Sequence, residues 1–199
     1  MKYPDYFSKV RTIKLKDNLS DFLGVFEEGI VEFSYTEIVK AAGHSCPTVA
    51  GAYMMCAKAL EKLYPDDIPE RGKIKVEFRN PVEEGVTGVI SNVISHITGA
   101  TKDTGFKGIA GNFIRHSLLY FEKNITGEIR FTRTDTGKYV DVIYNPPVPP
   151  KPEMQELMQK IISGQAGEIE KVEFKTMWQK RVEEILINNF DNPEAVIFL

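Results

Sequence analysis

The sequence predicts an α+β fold, a mixed or antiparallel sheet packed with helices and extended by a C-terminal helical arm. Three observations predict it. Residues 73–79 alternate apolar Ile74, Val76 and Phe78 with charged neighbours, the period of a half-buried strand. Behind Pro47, the residues Val49, Ala52, Tyr53, Cys56, Leu60 and Leu63 recur at helical spacing. The run Pro146-Pro147-Val148-Pro149-Pro150-Lys151-Pro152 is a stiff extended linker, followed by two amphipathic segments, about 152–163 and 168–189. The chain therefore divides into 1–145, an α+β domain that holds the candidate metal site, and 146–199, a linker and helices packing on the same domain or its dimer mate.

In chain order, residues 10–16 set apolar Val10, Ile13 and Leu15 against Arg11, Lys14 and Lys16, which reads as a strand or an extended lead-in. Asp17-Asn18 is a helix cap before the stripe Leu19, Phe22, Leu23 and Phe26, which Gly29 ends. Residues 30–35 form a short strand, and 36–42 a short helix stopped at Gly43. Pro47 suits the first position of the next helix, where its missing N–H costs nothing. That helix runs to about Tyr64, and the prolines at 65 and 69 break it. Asn80-Pro81 turns into a helix over about 83–98 with the stripe Val86, Val89, Ile90, Val93, Ile94 and Ile97. Its opposite face (Thr87, Gly88, Ser91, Asn92, Ser95, Thr98) carries no charge, so another element, a partner chain or a ligand is expected to cover it. A loop containing Gly99, Gly105, Gly108 and Gly111 follows. Three strands are expected after it, at 114–122, 128–133 and 138–144, the last two joined by the hairpin turn Thr134-Asp135-Thr136-Gly137.

The 199 residues, 42% hydrophobic and 27% charged, can bury a core without staples. A net charge of −3 argues against a nucleic-acid partner, which favours a basic domain. The 2 cysteines, Cys46 and Cys56, fall on one helix. At about 1.5 Å rise per residue they sit roughly 15 Å apart, beyond the ~7 Å reach of a disulfide. A reducing, cytoplasmic setting is expected. The N-terminal Met1-Lys2-Tyr3-Pro4-Asp5-Tyr6 lacks a signal-peptide core, and no apolar run nears the roughly 18 residues of a membrane span.

His44 and Cys46 are the strongest candidates for chemistry. Imidazole and thiolate ligate zinc and related ions, and a sulfur at a helix N-terminus is favoured as the anion. A capping histidine beside a buried cysteine is the alternative that spacing leaves open. Cys56, on the apolar stripe, reads as an inert core thiol. His96, at the edge of a stripe, either shares the pocket of His44 or is a hydrogen-bonded core histidine. His116 reads as structural or surface. Glu84 opens a helix, where a carboxylate suits the dipole, and it also serves as an oxygen ligand or base if that helix start faces His44. Lys107, in the glycine-rich loop, is the candidate for an anion. No Walker loop, G-x-S-x-G elbow, H-E-x-x-H pair or G-x-G-x-x-G turn is present.

Gly43-His44-Ser45-Cys46-Pro47 opening a helix, followed by Thr98-Gly99-Ala100-Thr101, resembles the formylmethanofuran dehydrogenase E-subunit family over roughly 36–144. The resemblance implies an α+β domain, commonly dimeric, with a zinc site in several members, and carries His44 and Cys46 over as ligands. The chain departs from the family at Thr48, where glycine is usual, at Ala100, where cysteine is frequent, and at 83–93, which lacks a cysteine. Glu84, His96 or water would then complete the set.

Three readings follow. The first is a homodimeric zinc-binding protein linked to molybdenum-enzyme or one-carbon metabolism, with a small anionic ligand near Lys107 and a molybdenum or tungsten enzyme as partner. The second is thiol chemistry at Cys46 with His44 or His96 as base. The third is an accessory protein or chaperone docking through the stripe Met154, Leu157, Met158, Ile161 and Ile162.

Overall fold

The computed structural model describes residues 2–199, so Met1 of the N-terminal segment lies outside it. A two-stranded antiparallel ribbon pairs β1 (Ile13–Lys16) with β2 (Ile30–Phe33). Between them Asp17 caps α1 (Asn18–Phe22), accepting the N–H groups of Leu19 and Ser20. The capping box of Ser34 and Glu37 then starts α2 (Tyr35–Ala42), and Gly43, at φ 76, ends it in the left-handed conformation glycine tolerates. Cys46 caps the long helix α3 (Pro47–Leu63), with proline in its first turn as expected.

The main sheet has the order β4-β3-β5-β6-β7. It is built from β3 (Ile74–Phe78), β4 (Leu119–Tyr120), β5 (Ile129–Arg133), β6 (Tyr139–Tyr144) and β7 (Val196–Phe198). Only β3 and β4 are parallel. The α+β expectation holds. The alternation in β3 and β5 buries Ile74, Val76, Phe78, Ile129 and Phe131, while α3 contributes Val49, Tyr53, Met54, Cys56 and Leu60 to the same core. Full burial of each large apolar side chain contributes about 1.5–3 kcal/mol. Gly51 lies where a Cβ would sit 2.3 Å from the Tyr144 ring, so α3 approaches β6 as closely as it does because this position has no side chain.

After α4 (Thr87–Thr98), the proline-rich segment leads to α5 (Pro152–Ile162) and α6 (Glu168–Glu183), which continues as a π-helical turn over Glu184–Asn188. Val182, Ile185, Leu186, Phe190 and Val196 join the main core. Met154 and Leu157 of the expected docking stripe are buried within the chain, whereas Ile162 is exposed.

Several expected boundaries shift. The helix expected from 83 begins at Thr87, because Gly85 adopts φ 56 and the Glu84 N–H turns back to the Pro81 carbonyl. The strand expected over 114–122 shrinks to β4, because Phe113 and Ser117 take positive φ and the Arg115 N–H bonds the Phe106 carbonyl. The uncharged face of α4 is covered by the chain itself at Thr87, Ser91 and Thr98, while Asn92 stays exposed. The stripe after Asp17 does not turn inward: Phe22, Leu23 and Phe26 are exposed.

Candidate functional site around Cys46

Neighbouring residues serve two different helix ends. The His44 Nδ1–H donates back to the Ala42 carbonyl at 3.0 Å, at the C-terminus of α2. A carbonyl can only accept, so the neutral ring keeps its lone pair on Nε2. Cys46 turns forward: its Sγ accepts the Val49 N–H at 3.4 Å and caps α3. Ser45 between them is held from both sides, by the Tyr35 hydroxyl at 3.0 Å and by the Trp178 indole N–H, which donates to the Ser45 carbonyl at 2.9 Å.

These directions divide the four expected ligands. Cys46 and Glu84 line one cleft of about 590 Å³. His44 and His96 line another, of about 240 Å³, with Asn92. Lys107 is exposed and lines neither. Neither imidazole lines the Cys46 cleft, so the base role expected of them has no support in the geometry. Among the described residues, no group of three or more His, Cys, Asp or Glu side chains is placed to hold an ion. The four expected ligands are thus split two and two between separate clefts, short of the three or four protein ligands that a zinc centre gathers around one point.

The Cys46 cleft is assembled from distant parts of the chain. Pro47 and Thr48 bring the N-terminus of α3, and Val86 and Thr87 that of α4. Both ends carry backbone N–H groups and the positive end of a helix dipole, which favour an anion. Trp178 and Arg181 reach in from α6. The Arg181 Nε–H donates to the Val148 carbonyl at 2.8 Å, and the residue makes no ion pair among the described residues. Burial holds its guanidinium below the ordinary arginine value, with Tyr144 opposing. The Tyr144 hydroxyl is buried with no hydrogen-bond partner among the described residues, and burial pushes it up to about 12. The cleft's two acids are already engaged: Glu84 accepts from the Asn80 amide at 2.8 Å, and Glu128 from the Tyr144 N–H at 3.0 Å. One unpaired cation, one orphaned hydroxyl and one thiol thus remain available to a ligand.

Sequence reasoning missed Tyr144, Trp178 and Arg181. The signals were slight: a single tryptophan in the chain, and an arginine near the end of a long helix that, contrary to expectation, has no pronounced apolar face. Cys56 is buried on α3 as expected, and burial pushes its thiol up. His116 is partly exposed and pairs with the Ser117 hydroxyl.

No described helix is long and apolar enough to cross a membrane. Comparison with curated proteins finds no match. The family described as FmdE, molybdenum formylmethanofuran dehydrogenase operon, matches residues 41–192 of the 199. That match reaches past the segment carrying the motif resemblance and takes in α5 and α6, the source of Trp178 and Arg181. From the motif that opens α3 to the helix that closes the cleft over it, this chain belongs to the FmdE family.

Proposed function

We propose that the protein is a cytoplasmic accessory of a molybdenum or tungsten formylmethanofuran dehydrogenase system that holds a small anionic ligand against the Cys46 thiol. The observation that carries this reading is the convergence in one cleft of Cys46, the unpaired Arg181 and two helix N-termini. Arg181 and the helix ends hold the anionic group, Tyr144 donates to it, and the sulfur contacts the soft or electrophilic part of the ligand. The operon named in the family description supports the enzyme link. The free state of both cysteines is in keeping with a reducing compartment. A homodimer is part of this reading, supported by exposed Phe22, Leu23, Val25 and Phe26.

The test uses two alkylating probes of equal reach, anionic iodoacetate and neutral iodoacetamide, with buried Cys56 as the internal control. Cys46 is expected to prefer iodoacetate more strongly than glutathione does, and Arg181→Gln removes that preference. A ratio equal to that of glutathione overturns the anion site.

A transition-metal ion such as zinc is the second reading, supported by a thiol and a carboxylate, Cys46 and Glu84, in the same cleft. Plasma mass spectrometry separates the two. About one metal per chain, lost in Cys46→Ala, favours the metal; a metal-free protein whose Cys46 alkylates rapidly favours the thiol.

A further inference from the structure

A different cleft, of about 400 Å³, lies between the start of α1, the segment before β3 and the loop that ends at Arg115. Its lining includes Asn18, Arg71, Lys73, Asn112, Phe113 and Arg115. Arg115 is only 5% exposed. Its Nη2 donates to Asp17 Oδ1 at 2.6 Å, while its Nε and Nη1 are buried with no acceptor among the described residues. The same carboxylate also serves Arg71, whose Nη1 donates to Asp17 Oδ2 at 2.9 Å. Glu70 brings the second negative charge, and its carboxylate already accepts from the Asn18 amide at 2.7 Å. Lys73 stands exposed on the rim and makes no ion pair among the described residues. Three cations therefore face two carboxylates, both in use.

The backbone is shaped around this guanidinium. A Cβ on Gly72 would lie 2.1 Å from Arg115 Nη1, and one on Gly99 3.0 Å from the same atom. Burial pushes Arg115 below the ordinary arginine value against the pull of Asp17, as expected of a cation short of counter-charge. Buried donors of this kind are normally paired, so the unpaired ones are in want of an acceptor. Beside the cations stands an apolar lip. Phe113, at φ 63, is a bulky residue in the left-handed region, and its ring meets that of exposed Phe22 at 5.3 Å.

We propose that this cleft is a binding site for a phosphate-bearing small molecule, with the phosphate held by Arg115, Arg71 and Lys73 and an apolar or planar body resting on Phe113 and Leu19. Phosphate suits the site because a dianion answers an excess of cations, and its several oxygens match donors arriving from three side chains. The site is independent of the Cys46 cleft and shares no residue with it.

Isothermal titration of the full chain with inorganic phosphate and with phenyl phosphate, at ionic strength matched by sodium chloride, tests the proposal. Both phosphates are expected to bind saturably, and phenyl phosphate roughly tenfold more tightly through burial of its ring. Because Arg115 is woven into the fold, the diagnostic variant is Lys73→Gln on the exposed rim, expected to weaken both by roughly fivefold. Heats no different from those of chloride, or binding unchanged in Lys73→Glu, overturn the site. Phosphate binding with no gain from the phenyl group overturns the apolar half of the proposal and leaves a free-phosphate site.

Discussion

The Arg115 cleft and the Cys46 cleft use charge in opposite ways. In the first, Asp17 is 3% exposed and does three things at once: it caps α1, pairs Arg71 and pairs Arg115. Its carboxylate joins the end of the ribbon, the segment before β3 and the loop before β4. In the second, Cys46, Tyr144 and Arg181 are only partly buried, and Arg181 is tied to the fold through one backbone carbonyl. The contrast identifies which residues can be altered without unfolding the protein. Charge in the Arg115 cleft is a structural element with donors left over, whereas the side chains of Cys46, Tyr144 and Arg181 each make at most one hydrogen bond to the rest of the fold.

The largest expected effect comes from disrupting the structural cleft. Asp17→Ala strands two guanidiniums and uncaps α1, and is expected to cost about 3–5 kcal/mol in urea unfolding. A loss under about 1 kcal/mol would show that the ion triad is not part of the framework. Gly51→Ala acts on the other cleft. It drives a methyl into the Tyr144 ring and is expected to cost about 1–3 kcal/mol. Because that ring also lines the Cys46 cleft, the variant should change the iodoacetate preference, which Asp17 substitutions that still fold should not.

The smallest effect is in the pH dependence. Burial holds His96 below the ordinary histidine value, Arg71 adds to this and Glu37 opposes it. The folded state therefore binds this proton less readily than the unfolded one. The histidine's contribution is complete above about pH 6.5 and declines as pH falls through that value. His96→Gln is expected to flatten that step by a small amount, since the residue is only partly buried. Burial raises Asp17, but its two arginines outweigh this and hold it below the ordinary value, so its contribution is present above about pH 3.8 and is lost only in stronger acid. A single acid titration of stability thus separates the two groups.

Much of the scaffold was legible because its signals are local. The Asp17 cap, the stop at Gly43, Pro47 in the first turn of α3 and the hairpin through Gly137 each reside in a few contiguous residues. So does the position of Cys46 at a helix start, which is why the thiol was expected at a site and lines the cleft. Its pairing with His44 rests on closeness in sequence alone. The structure separates the two because each caps the helix end nearest to it. β7 was not legible, since three residues at the chain's end carry no alternation to read and become a strand only by pairing with β6. Arg115 falls in a segment whose alternation suggests a strand, and its role follows from a carboxylate 98 positions away.

Hydrophobic period, capping and turn chemistry act over one or two turns of chain. They are enough to specify the α+β class, the order of most helices and strands, and a thiol at the start of a buried helix. Which cleft each polar side chain serves is a matter of packing. Trp178 meets Ser45, Tyr144 lies against Gly51, and Arg115 shares Asp17 with Arg71, each across a wide separation in sequence. Such meetings arise when the core brings distant segments together, and no local pattern encodes them.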